Sequence, residues 1–240
     1  MVRAELVQTG EKTGAAAAIL PVKRFEAAKQ RLRDALGAGS RSALAGAMFA
    51  DVLSALDRSK SVEAIFVVSA EPEVKDLMAA RQAVLIPDLA EKGQSRAALS
   101  GLARAAALGY PRAVMVPGDC PLLDPTEIDD LIAKVTSAQV DVAIVPDRHE
   151  HGTNALVVDP SGPFEPQFGP DSLRRHTEQA RRRGLRSSVE RVRSLALDVD
   201  SPEDLSELSA ALDESRGRAP RTEGVLRQIQ RSRRLPPVAA

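Results

Sequence analysis

The chain has 240 residues, 43% of them hydrophobic, and its 33 basic and 33 acidic side chains give a formal net charge of zero, which indicates a globular protein large enough to bury a core. One cysteine and three histidines exclude an internal disulfide and a zinc site built from Cys and His ligands, and five Phe with one Tyr and no Trp are too few rings to stack single-stranded nucleic acid. The longest uncharged apolar run, at 15–22, is too short to cross a bilayer, and the first residues lack a secretory pattern, so we expect a cytoplasmic protein with neither membrane nor nucleic acid as partner.

Short apolar runs bounded by turn residues predict buried parallel strands. They lie at 15–22, 64–69, 83–87, 113–117 and 141–146. The longer segments between them have apolar residues three and four apart and predict helices at about 40–57, 72–81, 95–108 and 125–136. Strands that alternate with helices in this way predict a doubly wound, mostly parallel α/β sheet.

The regular alternation of predicted strands and helices ends after residue 147. The segments predicted there are strands at 154–158 and 194–198, helices at 171–183 and 202–213, and a Pro- and Gly-rich stretch at 160–170. We expect this half to add strands and a lid to the first. Residues 216–240 hold seven arginines and one glutamate, and we expect a basic, flexible tail, with a partner-binding helix as the less favoured alternative. The expected organisation is one domain over 1–215 followed by that tail.

The loop after the first strand carries three cationic side chains. Neither G-x-G-x-x-G nor G-x-x-x-x-G-K-[ST] follows that strand, so a dinucleotide-binding dehydrogenase and a P-loop enzyme are both disfavoured. Lys23, Lys29 and Arg31 follow it instead, near the sheet edge where ligands of open α/β folds bind. Together they could neutralise a triphosphate, although Lys29 and Arg31 would equally suit the solvated face of a helix.

Three aspartates follow two later strands and are candidates for a metal site. Asp119 lies in the tight turn after the fourth predicted strand. Asp198 ends the last predicted strand, and Asp200, two residues later, shares its face. Mg²⁺ is held in proteins by one or two carboxylates together with substrate phosphates, and these acids suit that role. Asp200 or Ser201 could instead cap the helix that follows.

A separate anion site is indicated where Gly169 and Ser172 open the helix predicted at 171–183, because the first amides of a helix bind phosphate or carboxylate. His176 lies four residues after Ser172 on the same helical face and could add a donor, but a structural histidine with satisfied hydrogen bonds is at least as well supported. Thr153, in a G-T-N turn, offers a further hydroxyl and backbone amides.

The motifs, taken in order, resemble those of one enzyme family. They are L-P-V-K with A-K-x-R-L, G-D-x-P-L-L, D-R-H followed by G-T-N-A-L, F-G-P-D-S-L-x-x-H, and D-V-D-S-P-E-D-L, spread over about residues 15–213. This set resembles the 2-phospho-L-lactate or phosphoenolpyruvate guanylyltransferases that act in the biosynthesis of a deazaflavin redox coenzyme. F-G-P-D-S and G-T-N-A-L are its most specific parts, since G-D-x-P and D-x-D-[ST]-P-E-D-L also occur across the wider nucleotidyltransferase superfamily.

The resemblance implies a Rossmann-like nucleotidyltransferase fold, GTP as co-substrate with Mg²⁺, and a phosphorylated three-carbon acid as acceptor. The implied site residues are Asp119, Lys23 and Lys29 for catalysis, Asp119, Asp198 and Asp200 for the metal, Leu20, Pro21, Lys23, Lys29, Arg31 and Gly118 for GTP, and Thr153, Gly169 and Ser172 for the acid. Gln94 and Ser95 stand where the family commonly has Leu-Asn, which leaves the recognition of guanine open.

The motifs leave the acceptor acid undetermined. Phosphoenolpyruvate is favoured over 2-phospho-L-lactate and 3-phosphoglycerate, because the arginine-rich composition and the F-G-P-D-S segment resemble actinobacterial members of the family. Two alternatives are kept: a nucleotidyltransferase for a sugar phosphate or a molybdenum pterin, and a nucleotide-binding regulatory protein without turnover. The three aspartates favour an enzyme, and an isologous homodimer is the default expectation.

Overall fold

Seven strands form one sheet at the centre of the protein. The computed structural model describes residues 16–79, 81, 83–215 and 217–234. The strands are β1 (Ala16–Val22), β2 (Val62–Ser69), β3 (Ala83–Pro87), β4 (Arg112–Met115), β5 (Val142–Pro146), β6 (Thr153–Val158) and β7 (Ser187–Val189). Their order is β3-β2-β1-β4-β6-β5-β7, and of these strands β6 alone runs antiparallel to its neighbours. The prediction of a doubly wound, mostly parallel sheet is confirmed.

Helices cover both faces of this sheet. They are α1 (Ala38–Arg58), α2 (Val74–Met78), α3 (Gln94–Ala107), α4 (Pro125–Ser137), α5 (Ser172–Arg182), α6 (Pro202–Glu214) and α7 (Pro220–Arg234). Side chains alternate along β1, so Leu20 packs with α1 and α4 whereas Ile19 packs with α3 and α5. The approach of α3 to β1 requires Gly101, because a Cβ at that position would collide with Ile19. Among the described helices, none has both the length and the apolar character needed to cross a membrane.

The structure differs from the prediction at the strand expected over 194–198. Arg193–Leu195 forms a single 3₁₀ turn, residues 196–200 are irregular, and the edge strand is β7, which pairs in parallel with β5. Leu195 is completely buried, so the apolar run reaches the core through this side chain without entering the sheet. An apolar run shows that a segment is buried but does not show which backbone conformation buries it.

The C-terminal segment is a packed helix, and the prediction of a flexible tail is wrong for residues 220–234. Leu226 packs into an apolar cluster formed with α1 and α6. Thr222 is completely buried, and its hydroxyl and backbone N–H both donate to the carboxylate of Asp51, each at 2.8 Å. The arginines of this segment suggested a solvated chain. Its packing is instead decided by a short apolar repeat, Val225, Leu226 and Ile229, which lies between those arginines. Residues 235–240 lie outside the described residues, as does residue 15 of the first predicted strand.

Candidate active site

A cleft of about 570 Å³ opens where β1 and β4 end. The loops after these two strands form its walls, because neighbouring parallel strands end at the same edge of the sheet. The site residues predicted from sequence that line the cleft are Pro21, Lys23, Lys29, Arg31, Gly118, Asp119 and Asp200. Leu20, one residue before Pro21 on β1, is completely buried in the core. The cleft therefore gathers most of the residues predicted for the nucleotide and the metal.

Lys29 joins two of the aspartates in this cleft. Its Nζ lies 2.5 Å from Oδ2 of Asp119 and 3.0 Å from Oδ1 of Asp200, and only 5% of its side chain is exposed. The residue has a left-handed backbone, with a φ of 57°, and precedes a single 3₁₀ turn, so the alternative of a solvated helical face is wrong for Lys29. Burial lowers the pKa of Lys29, but the carboxylates of Asp119 and Asp200 outweigh burial and raise that pKa above its ordinary value. The Lys29 ammonium group therefore stays positively charged at neutral pH.

Lys23 and Arg31 lie at the open rim of the same cleft, and both are exposed. Arg24 joins the loop after β1 to the loop after β3, because its guanidinium donates twice to the carboxylate of Glu91, each time at 2.9 Å. The cations of the cleft therefore range from buried to solvent-exposed. Water and salt screen the charge of Lys23 much more than that of Lys29.

The three aspartates come from two loops that the backbone holds together, since the N–H of Val199 donates to the carbonyl oxygen of Asp119 at 3.2 Å. Among the described residues, Oδ1 of Asp119 is a buried carboxylate oxygen without a hydrogen-bond partner. Burial and the charges of Asp119 and Asp200 raise the pKa of Asp198, whose Oδ1 accepts a hydrogen bond from Nδ2 of Asn154 at 3.1 Å. The single ammonium group of Lys29 contacts two of these three carboxylates, which leaves an excess of negative charge there.

The helix cap that competed with the metal role belongs to Ser201. Its hydroxyl accepts from the N–H of Asp204 at 3.2 Å, and the Asp204 carboxylate accepts from the N–H of Ser201 at 2.7 Å. The side chain of Asp200 is therefore not needed as a cap and instead faces Lys29.

The chemistry of these carboxylates fits Mg²⁺. Within the described ranges, no three carboxylate, imidazole or thiol groups meet closely enough to enclose a metal ion by themselves. Mg²⁺ does not require such a cage, because it keeps several waters and takes oxygens from substrate phosphates. The unpartnered oxygen of Asp119 and the raised pKa of Asp198 are both features that a nearby cation would relieve.

Thr153 begins β6, and because this strand is antiparallel its first residue lies at the edge where β4 ends. The register between β5 and β6 shifts by one residue at Asn154, and such a bulge re-aims the side chains around it. Oγ1 of Thr153 lies 3.0 Å from Nδ1 of His176 on α5. Asn154 points to the other layer, where its amide donates to the carbonyl oxygen of Leu195 at 2.7 Å.

Gly169 and Ser172 form the turn that starts α5. Gly169 has a φ of +112°, a conformation that favours glycine, and the N–H of Ser172 donates to the Gly169 carbonyl oxygen at 3.1 Å. The Ser172 amide is thus used within the turn, and the residue is only 1% exposed. Thr153, Gly169 and Ser172 do not line the cleft that holds Lys29. The predicted site residues therefore lie in two groups. The acid group is Thr153, Gly169 and Ser172, beside α5. The nucleotide group lies in the cleft and consists of Pro21, Lys23, Lys29, Arg31, Gly118, Asp119 and Asp200.

Two residues that received no role in the sequence analysis connect these groups. Asn154 supports Asp198 and follows Thr153 directly, and its signal is a polar side chain at the start of an otherwise apolar strand. Ser95 lies in the first turn of α3, next to Gln94 of the cleft, and its hydroxyl accepts from the backbone N–H of Phe168 at 2.9 Å. Nothing local in the sequence reveals the bond of Ser95, because its partner lies 73 residues away.

Residues 16–230 match the model of a family described as guanylyl transferase CofC like, which includes both residue groups and most of α7. A phosphoenolpyruvate guanylyltransferase from Conexibacter woesei is 44% identical over 215 residues, 90% of this chain and 96% of its own. A 3-phospho-D-glycerate guanylyltransferase from Phenylobacterium zucineum is 36% identical, covering 81% and 89%. A 2-phospho-L-lactate guanylyltransferase from Methanothermobacter thermautotrophicus is 34% identical, covering 80% and 82%.

The fold is also found among solved structures. A chain from Desulfovibrio desulfuricans assigned to the nucleotide-diphospho-sugar transferases superposes with a TM-score of 0.71 over 91% of this chain and 96% of its own. Its sequence is 18% identical, so this likeness concerns the fold alone. The family match over nearly the whole described chain, together with the relatives above 30% identity, shows that the protein is an enzyme of the CofC-like guanylyltransferase family.

Proposed function

We propose that this enzyme transfers GMP from GTP to the phosphate of a small phosphorylated three-carbon acid and releases pyrophosphate. Phosphoenolpyruvate is the favoured acceptor, because the relative at 44% identity is named for it, whereas the relatives named for 3-phospho-D-glycerate and 2-phospho-L-lactate are 36% and 34% identical. The guanylylated acid would then enter the deazaflavin coenzyme pathway that the sequence resemblance implies.

The observation that carries this proposal is the contact of Lys29 with Asp119 and Asp200 in the cleft. A nucleoside triphosphate needs cations, and a metal that accompanies it needs carboxylates. The cleft supplies both kinds of group at one point. When a triphosphate is bound, its oxygens offer Lys29 an alternative partner, and the two carboxylates are then released from the ammonium group.

The reaction requires no dedicated base from the protein. The second pKa of a phosphate monoester is near 6, so the acceptor phosphate is largely ionised at neutral pH. One of its oxygens forms a bond to the α-phosphorus of GTP, and the bond from that phosphorus to the bridging oxygen of the β-phosphate breaks. The electron pair leaves with pyrophosphate. No Ser, Cys or His nucleophile is needed, which agrees with a cleft lined by Lys, Arg and Asp side chains.

The chain's own task is to position the two substrates and neutralise their charge. Lys29 and Lys23 would bind triphosphate oxygens, with Arg31 at the rim and the backbone of Pro21 and Gly118 against the nucleotide. Asp119, Asp198 and Asp200 would hold Mg²⁺, which when bound supplies positive charge that reduces the repulsion between the two phosphate groups.

The acid group of residues would bind the acceptor. The Thr153 and Ser172 hydroxyls are donors for the carboxylate or phosphate of the acid, and Gly169 lets the backbone approach it closely because no side chain intervenes. The bond between Ser95 and Phe168 holds this turn against the start of α3, next to the cleft. With the roles proposed here, the acceptor and the nucleotide would lie on neighbouring elements.

The experiment that tests the proposal is pyrophosphate release in the presence of Mg²⁺. GTP is combined in turn with phosphoenolpyruvate, 2-phospho-L-lactate and 3-phosphoglycerate, and ATP, CTP and UTP replace GTP as controls. We expect release with GTP and an acid together, fastest with phosphoenolpyruvate, and little with the other nucleotides. Release with a different acid would correct the acceptor. Tight GTP binding without release in any combination would contradict the proposed reaction.

A further inference from the structure

His176 of α5 is a candidate for a role beyond those already assigned. The residue is completely buried. The rings of Phe164 and Phe168 lie on it, each with its centroid 5.6 Å from the imidazole centroid. An imidazole enclosed in this way has lost its contact with water, so both of its nitrogens need partners within the protein.

The two partners of the ring determine where its proton lies. The backbone N–H of Gln167 points at Nε2 over 2.7 Å, and because a backbone N–H can only donate, Nε2 must accept. The proton of the neutral ring is therefore on Nδ1, which lies 3.0 Å from Oγ1 of Thr153. Burial, helped by the charge of Arg175, lowers the pKa of His176 to about 4, so the ring is neutral at neutral pH.

This proton position fixes the role of the Thr153 hydroxyl. Oγ1 accepts the hydrogen bond from Nδ1 of His176, so the hydroxyl hydrogen is left to donate elsewhere. A hydroxyl constrained to donate suits an anion, since carboxylate and phosphate oxygens only accept. With the opposite tautomer, Nδ1 would itself take the hydroxyl hydrogen, and the anion would meet lone pairs.

The same ring also holds the turn that precedes α5. Gln167 bonds to Nε2, and the guanidinium of Arg175 donates to the carbonyl oxygens of Gln167 and Phe168 at 2.8 and 3.2 Å. These contacts fix the backbone immediately before Gly169. One side chain therefore connects the two parts of the acid group, the hydroxyl of β6 and the turn of α5.

We propose that His176 is a positioning residue for the acceptor acid, which holds the Thr153 hydroxyl as a hydrogen-bond donor and fixes the Gln167–Gly169 turn beside it. This inference rests on the proposed function, in which Thr153 and Gly169 bind that acid. His176 acts through Thr153 and does not touch the reacting atoms. A merely structural histidine would instead affect both substrates alike.

Two substitutions of His176 separate its contacts. The amide of His176→Asn lies where Nδ1 was and keeps a donor for Thr153, whereas the longer His176→Gln reaches the position of Nε2 and keeps an acceptor for Gln167. We expect His176→Gln to raise KM for the acid by about 10- to 100-fold, the effect of losing one hydrogen bond to a charged group, with KM for GTP and kcat little changed. We expect His176→Asn to recover most of this loss.

A double-mutant cycle tests whether His176 acts through Thr153. Thr153→Val should raise KM for the acid as much as His176→Gln, the double variant should lose no more than either single one, and Thr153→Ser, which keeps the hydroxyl, should raise this KM much less than Thr153→Val does. Losses that multiply in the double variant would overturn the proposal. An equal rise of KM for GTP in variants with a wild-type Tm would overturn it too.

The proton position is measured independently of turnover. With only three histidines in the chain, ¹⁵N NMR of the imidazole nitrogens, with His176→Asn to assign the signal, shows which nitrogen of His176 carries the proton. We expect Nδ1 to be protonated and Nε2 unprotonated from pH 6 to 8. A charged ring or a proton on Nε2 would overturn the positioning role, even if every variant folds poorly. If the wild-type protein carries the proton on Nδ1 but turns over none of the acids, the proposed function is wrong, whereas the proton position of His176 is correct.

Discussion

The two halves of the candidate site are built from opposite kinds of interaction. Around the ends of β1 and β4, Lys29 is held by the charges of Asp119 and Asp200. Around the start of β6 and α5, Thr153 and His176 are neutral and are held by hydrogen bonds among aromatic rings. An ion pair can exchange one charged partner for another, whereas a buried neutral network keeps its geometry or loses it. The side chains of the nucleotide group are therefore suited to change partners when a ligand binds. Those of the acid group are suited to hold their binding geometry before the ligand arrives.

The largest effect is expected from Asp119→Asn. This change removes the negative charge from the carboxylate whose Oδ1 is buried and has no hydrogen-bond partner among the described residues, and losing an electrostatic contact of this kind costs about 10²- to 10³-fold in kcat. The measurement is pyrophosphate release, with far-UV circular dichroism to confirm the fold. Asp130→Asn, on the exposed surface of α4, is the matched control and should be neutral. Full turnover of Asp119→Asn would exclude its metal role.

Lys29→Gln and Lys23→Gln should differ although both remove one positive charge from the same cleft. Lys29 is shielded from water and Lys23 is exposed, so we expect kcat/KM for GTP to fall by about 10²-fold for Lys29→Gln and by less than about 10-fold for Lys23→Gln. The ratio should shrink at low salt, where the exposed charge is less screened. Equal effects at physiological salt would show that burial does not distinguish the two cations.

His176 should make the stability of the protein depend on pH. Its pKa is about 4 in the folded chain against an ordinary value of 6.5. As the pH falls below 6.5, His176 is therefore protonated in the unfolded chain but stays neutral in the folded chain. The free energy of unfolding should therefore fall by about 2 kcal/mol from this residue between pH 7 and 5. Urea unfolding of His176→Asn should lack this component, whereas the exposed His151→Asn should retain it. Parallel curves for His176→Asn and wild type would contradict the lowered pKa.

The smallest effect is expected at the contact between the two groups. Ser95→Ala removes the acceptor for the N–H of Phe168, and one partly buried hydrogen bond contributes about 0.5–1.5 kcal/mol. We expect KM for the acid to rise by about 2- to 10-fold, with a smaller change for GTP. Ser100→Ala, on the exposed side of the same helix, is the control. A larger change for GTP than for the acid would assign Ser95 to the nucleotide group.

Features that depend on local sequence signals were predicted well, and features that depend on contacts between distant segments were not. The five parallel strands and the position of Asp119 followed from apolar runs and turn residues, because both are local signals. The strand expected over 194–198 was wrong, yet Asp198 and Asp200 still approach Asp119, since the loop that carries them is tied to the Asp119 turn through Val199. The prediction of a flexible C-terminal tail failed because the many arginines were given more weight than the apolar repeat of Val225, Leu226 and Ile229, which packs against α1 and α6.

The sequence by itself determined the chemical types in the site: cations after β1, carboxylates after β4 and before α6, and hydroxyls at the start of β6 and α5. These follow from residue identity and from the rule that strands end where ligands bind. Only the tertiary structure decided how those groups are used. Thr153 contacts His176 on one side of the sheet and Asn154 contacts Leu195 on the other, and the contacts of the buried His176 ring with Gln167 and Thr153 set the position of its proton. Both depend on contacts between residues distant in sequence, which no local pattern records.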